Sequence, residues 1–286
     1  CALPIFTRDA AATVRNLSVV NGDGGLVSAS GALTINGSPI ITAISEASIG
    51  QGATSRTLTV TGGGFSPQAR VSLQRIPQSQ VGTGSTVVCN AAGNTTTVGT
   101  ASDISLTTVS VTARTTSLLS TSVTIGSDAE TGPVWVKVDN DDQGSDPVCS
   151  VAGLLTVTPR PTASSITPSQ LNPPVSGSST VTLALTGANF GSGTTVSVLP
   201  ATGQGSADVA AVAGSAAVGS QSNMTFDVTV PATAIGGPRS LLITNLDGGT
   251  KTIANAVTVV STGSVTVSPT AIGAGAVAAP LTIDRK

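Results

Sequence analysis

The stretch Leu241-Leu-Ile-Thr-Asn245-Leu-Asp247-Gly-Gly249 decides the fold. Apolar side chains dominate it and then give way to Asn-x-Asp-Gly-Gly. Alternation of apolar and polar residues is the period of a strand with one buried face, and Asn, Asp and Gly tolerate the positive φ that a tight turn demands. Related runs occur at Leu17-Ser-Val-Val-Asn21-Gly-Asp23-Gly-Gly25 and at Val134-Trp-Val-Lys-Val-Asp-Asn140-Asp-Asp142-Gln-Gly144. A second strand is predicted after each turn, over 31–35, 153–157 and 254–260. The chain is therefore expected to contain the same hairpin three times.

A second pattern lies upstream of two of these hairpins. Thr57-Leu-Thr-Val-Thr61-Gly62-Gly-Gly-Phe65 matches Val181-Thr-Leu-Ala-Leu-Thr186-Gly187-Ala-Asn-Phe190. Each is a strand ending in Thr-Gly-x-x-Phe, where the Gly is expected to break the strand and the Phe to turn back into the core. Opening strands precede them at Ile44-Ser-Glu46 and Ile166-Thr-Pro168. Short strands recurring with a period of roughly 100 residues mean tandem sandwiches rather than a solenoid.

In this order the motifs resemble the IPT/TIG family of immunoglobulin-like domains, whose pattern runs from an I-x-P strand through T-x-x-G-x-x-F to an N-x-D-G hairpin. The first copy departs from it, with Glu46 in place of the proline and Gln143 in its turn. The resemblance implies an all-β fold of tandem immunoglobulin-like β-sandwiches, used outside the cell as spacer, adhesive or interaction modules. It brings no catalytic residues. Two whole domains are expected over 41–160 and 161–262. Residues 1–40 read as the closing strands of an incomplete copy, around 2–6, 15–20 and 31–35. Residues 263–286 read as the opening strands of another, at 265–268 and 280–283.

Composition narrows the function. Charged residues make up 9% and the net charge is −2, against roughly 25% charged in an ordinary domain. No basic patch suits nucleic acid. A surface of Ser, Thr, Gly and Asn offers little charge repulsion between copies. The most apolar segment, 271–283, is broken by Pro280 and is shorter than the roughly 20 residues of a membrane-spanning helix. With no His and no Tyr, histidine acid–base chemistry, Ser-His-Asp triads and histidine metal sites are excluded. An enzyme is not expected.

Cys89 and Cys149 fall in one predicted domain and are read as a disulfide worth about 4 kcal/mol on the chain-entropy argument, which implies an oxidising compartment. Cys1 is then left over for an intermolecular bridge, a lipid-linked terminus or a free thiol. The chain opens on this cysteine rather than on Met, as a processed product or a fragment would. Asp139, Asp141, Asp142 and Asp146 form the densest acidic cluster. They read as an enlarged hairpin turn, with weak calcium binding as the alternative, since Ser150 stands where a calcium loop needs a bidentate Glu. Trp135 alternates with Val134 and Val136 and is read as a packing residue rather than a sugar platform.

The incomplete copies generate the leading functional expectation, a structural subunit of an extracellular filament or surface assembly. Opening strands bearing Val265, Val267, Leu281 and Ile283 would complete the half-domain bearing Leu17 and Val19 in another copy. A heterologous contact of this kind makes a homopolymer. Alternatives are an adhesin stalk or cell-surface binding module, a non-catalytic accessory region of a secreted carbohydrate-active enzyme, and a stretch of a longer tandem array. No cofactor is expected, and no ligand or glycan is legible.

Overall fold

Val, Ile and Thr fill the runs between glycine and serine clusters, and branched side chains favour the extended backbone on which they pack. The computed structural model describes residues 11–35, 37, 39–75, 104–107, 115–140, 148–149, 155–261, 265–275 and 280–285, and among these it contains strands and no helix. The described chain forms two compact units. The first runs to Arg160 and includes Asp247–Thr250, and the second comprises Pro161–Leu246 with Lys251 onward.

The first unit holds β1 (Thr13–Val20), β2 (Leu26–Ile35), β3 (Ile40–Ile44), β4 (Ser48–Gly50), β5 (Arg56–Gly63), β6 (Arg70–Arg75), β7 (Ile104–Thr107), β8 (Leu118–Ile125), β9 (Gly132–Asp139), β10 (Val148–Cys149) and β11 (Leu155–Thr158). The second holds β12 (Thr162–Thr167), β13 (Gln170–Leu171), β14 (Ser178–Ala188), β15 (Thr195–Val198), β16 (Ala210–Ala211), β17 (Ala217–Ser220), β18 (Asn223–Pro231), β19 (Gly237–Thr244), β20 (Thr250–Val259), β21 (Val265–Ser268) and β22 (Thr282–Arg285).

Each unit encloses one sandwich. In the second, one sheet has the order β12-β14-β18-β16, with β17 also on β18, and the other has β13-β20-β19-β15. The first repeats this plan as β3-β5-β8-β7 against β4-β11-β9, with β6 and β10 also on β9. Two mainly antiparallel sheets joined in this order are immunoglobulin-like. The short strands β4 and β13 run parallel to the last strands, with Ile49 opposite Val157 and Leu171 opposite Val259. Alternation places the cores: β8 buries every second residue, from Leu119 to Ile125, and β18 buries Met224, Phe226, Val228 and Val230.

The two sequence patterns meet at a buried asparagine. Asn140 follows β9 and Asn245 follows β19, each in phase with the inward residues before it. The Asn140 amide donates to Gly64 O at 2.8 Å, and its Oδ1 accepts the Ser66 N–H at 3.0 Å. In the second unit the Asn245 amide donates to Asn189 O at 2.8 Å, and Thr194 Oγ1 donates to Asn245 Oδ1 at 2.7 Å. Gly64 and Asn189 each precede the buried phenylalanine, Phe65 or Phe190, and both are left-handed, with φ of 68° and 63°. The asparagine therefore ties the end of one sheet to the loop that drops the phenylalanine into the core.

In the two described turns of this pattern the positive φ falls on Gly24 and Gly248, while Asn140 and Asn245 of the two sandwiches serve as buried hydrogen-bond partners. One expectation needs correction: the glycine of Thr-Gly-x-x-Phe does not break its strand. Gly62 lies inside β5 and Gly187 inside β14, where a Cβ would come within 1.8 Å of Ile40 O and 1.9 Å of Thr162 O. Glycine is required there because the neighbouring strand bulges against it, at Ile41/Ala43 and at Ala163/Ser165.

Replacing Asn245 with Leu keeps the branched shape but removes the amide that donates to the Asn189 carbonyl and the oxygen that accepts from the Thr194 hydroxyl. Calorimetry should show the second unit destabilised by about 2 kcal/mol, or roughly 10 °C in Tm for a domain of this size, with the first unit unchanged.

Candidate assembly surface

Hairpin β1–β2 repeats β19–β20 residue for residue. The first strands are both 8 residues long and the second strands both 10. Thr13 matches Gly237 and Ile35 matches Val259 with no insertion between. Local details agree as well. Gly25 N–H donates to Asp23 Oδ1 at 3.0 Å, as Gly249 N–H does to Asp247 Oδ1 at 2.9 Å. A left-handed residue interrupts each second strand, Gly31 in one and Asn255 in the other. Its N–H is accepted by a first-strand side chain, Asn16 Oδ1 at 2.9 Å and Ser240 Oγ at 3.2 Å.

Burial is what differs. Leu241, Ile243, Val257 and Val259 are at most 1% exposed and form one wall of a core. At the matching positions Leu17, Val19 and Leu33 are 55%, 52% and 39% exposed, and Ile35 is half-buried. Asn21, the match of the clamp residue Asn245, is exposed too. Among the described residues, β1 and β2 pair only with each other. A lone two-stranded ribbon with a bare apolar face is marginal in water.

The hairpin β21–β22 has the opposite character. Val267 faces Ile283 and Ser268 faces Thr282, as Ile166 faces Leu185 and Thr167 faces Ala184 in the β12–β14 pair. It is thus an opening hairpin where β1–β2 is a closing one. Its neighbours Leu281 and Ile272 match the fully buried Leu183 and Leu171, and they are 49% and 50% exposed. Val265, Val267, Leu281, Ile283, Leu17 and Val19 accordingly fall on two separate hairpins. The expected strand over 280–283 lies two residues later, as β22.

The remaining candidate residues are not brought together. Cys1 and Cys89 lie outside the described residues, and Cys149 is placed only as backbone in β10. Asp141, Asp142 and Asp146 lie outside them as well, while Asp139 ends β9 opposite Arg70. The Trp135 side chain is also outside the description. Among the described residues no group of three or more His, Cys, Asp or Glu could hold a metal, and no helix is long and apolar enough to cross a membrane. A cavity of about 570 Å³ opens beside β15 and β16, lined mainly by Val196, Val198, Ala211, Val212 and Phe226. Two of its lining hydroxyls are engaged internally: that of Thr194 accepts the Gly191 N–H, and that of Ser215 donates to Val212 O.

One buried ion pair went unread in the sequence. Arg239 alternates with Leu241 and Ile243, so its guanidinium points inward and is fully buried. A charged residue on a core face was the available signal. It binds Asp208 twice, Nε to Oδ1 at 2.9 Å and Nη2 to Oδ2 at 2.7 Å, and also donates to Gly237 O and Pro238 O at 3.1 Å. Fork-to-fork geometry and saturated donors are what let an internal charge persist. Arg239, helped by the Ile235 N–H and opposed by burial, holds the Asp208 carboxyl below its ordinary 3.8, at about 2.

No family model and no curated protein matches the chain. Similar solved structures include the I9–I11 tandem of titin, 12% identical over 82% of this chain and 72% of that one with a TM-score of 0.35. Domains 4–9 of the surface layer protein SbsC are 14% identical over 93% and 41%, with a TM-score of 0.24. The Yersinia pseudotuberculosis adhesin InvE is 13% identical over 77% and 60%, with a TM-score of 0.24. Likeness at this level carries nothing about function.

The folded value of Asp208 lies below the unfolded one, so its contribution is complete above about pH 4 and disappears as pH falls towards 2. Asp208→Asn should lower the stability of the second unit at neutral pH by about 3 kcal/mol, because a buried guanidinium loses its counter-charge. The gap between wild type and variant should narrow steadily between pH 4 and 2 in urea titrations.

Proposed function

We propose that this chain is a structural subunit of an extracellular or cell-surface assembly, built from IPT/TIG-like sandwiches and joined head to tail by complementation between its two hairpins. One observation carries the reading. Hairpin β1–β2 reproduces β19–β20 residue for residue yet exposes the side chains that β19–β20 buries. The opening hairpin offers apolar residues at the places that β12–β14 fills in a finished domain. Apolar burial supplies the driving force, at roughly 25 cal/mol per Å², and the low charge removes the repulsion that keeps most surfaces apart.

The joint draws its affinity from the apolar faces and from backbone pairing.

Light scattering on a sizing column, with negative-stain micrographs of the peak, tests the reading. Wild-type chain should form concentration-dependent oligomers and fibres. Leu17→Ser with Val19→Ser, or deletion of residues 264–286, should give monomers in which both sandwiches melt as in the wild type. A wild-type chain that remains monomeric at every concentration sinks the proposal.

A further inference from the structure

Among the described residues the outer edge of β2 is an open template. Among the described residues β2 pairs with β1 alone. The strand reads Leu-Val-Ser-Ala-Ser-Gly-Ala-Leu-Thr-Ile, 10 residues with no charge and no proline. Natural sheet edges carry lysine, proline or a covering segment because an unprotected edge captures other strands. Among the described residues nothing of that kind guards this one. Within each complete sandwich the same edge is occupied, on β11 by β4 and on β20 by β13.

Those two precedents agree residue by residue. Ser48 lies opposite Thr156 and Ile49 opposite Val157, and Gln170 lies opposite Thr258 and Leu171 opposite Val259, in parallel in both cases. Thr156 N–H donates to Ala47 O at 3.0 Å, and Thr258 N–H to Ser169 O at 2.9 Å. The apolar pair points into the core and is buried in both sandwiches, whereas Gln170 and Thr258 face outward. On β2 the places of Thr258 and Val259 are taken by Thr34 and Ile35. After the opening strand β21, the places of Ser169, Gln170 and Leu171 are taken by Thr270, Ala271 and Ile272, and all three are exposed.

We infer that the segment Thr270–Ile272 of a second copy adds to the outer edge of β2 in parallel, with Ala271 opposite Thr34 and Ile272 opposite Ile35. This rests on the self-assembly reading above and adds to it the edge, the direction and the register. The Thr34 N–H then donates to the Thr270 carbonyl of the second copy, and Ile272 covers Ile35 as Leu171 covers Val259. Register is tightly specified because a slip of one residue would turn Ile272 to solvent. Two closed sandwiches separate the two hairpins along the chain, so a joint between copies leaves each copy with one used and one unused end, and the contact propagates.

Mixing two single-cysteine variants tests this. Residues directly opposite in adjacent strands lie within disulfide reach, and Thr34 and Ala271 face away from the core. Thr34→Cys mixed with Ala271→Cys should yield a covalent dimer on mild oxidation, seen by non-reducing electrophoresis. It should form several-fold faster than from Thr34→Cys mixed with Thr270→Cys, and above the background that wild type sets through Cys1, Cys89 and Cys149. A chain carrying both Thr34→Cys and Ala271→Cys should give a ladder. Assembly that proceeds with the two mixtures cross-linking equally overturns the register while sparing the assembly reading. A double variant that closes within one chain at monomer mass overturns the second copy as donor. Wild type that never assembles overturns both.

Discussion

The buried asparagine is the constraint on which each sandwich depends. Asn140 and Asn245 stand where a strand of one sheet leaves the core, and their amides hold the carbonyl just before the inward-turning phenylalanine. A buried carbonyl without a partner costs about 1–3 kcal/mol, so the loop has to arrive in one conformation. That conformation is left-handed at Gly64 and Asn189, which limits the residue before Phe to glycine or asparagine. The glycine three residues before the phenylalanine answers a different demand, the close pass of the bulged first strand. The recurring sequence patterns are therefore two ends of a single hydrogen-bonded knot, stated separately along the chain.

Much of the fold was legible because its determinants are local. Alternation in Leu119–Ile125 and Met224–Val230 follows directly from one-sided burial, and the order of motifs predicted the sandwiches. The correspondence between β1–β2 and β19–β20 was visible in the shared Asn-x-Asp-Gly-Gly. What was missed is long-range. That Asn245 lies buried against Asn189 depends on how two sheets meet, and a turn propensity explained the same residue equally well. The Arg239–Asp208 pair joins positions far apart in sequence, of which only the arginine announces itself, by its phase with Leu241 and Ile243. Alternation could rank the apolar residues of the two hairpins as core-like. It could not show that Leu17, Val19, Ile272 and Leu281 are exposed.

The outer faces of the sheets explain how a chain so poor in charge stays ordered at its surface. Hydroxyls bond across neighbouring strands, Thr59 to Ser120 at 3.2 Å and Ser18 to Ser28 at 2.7 Å, and Thr182 reaches Asp227 at 2.6 Å. Cross-strand pairs of this kind stabilise a sheet without ion pairs, and salt has little to screen on such a surface.

The parallel pairing of β4 with β11 and of β13 with β20 has a mechanical consequence. In each sandwich a strand near the start of the domain lies alongside the last one and points the same way. A pull on the two chain ends of that domain drags these strands past each other lengthwise. Bonds such as Thr258 N–H to Ser169 O and Val260 N–H to Leu171 O, both 2.9 Å, are then strained together rather than opened one after another. The geometry is that of a lap joint loaded in shear, and its strength under tension grows with the number of bonds sharing the load.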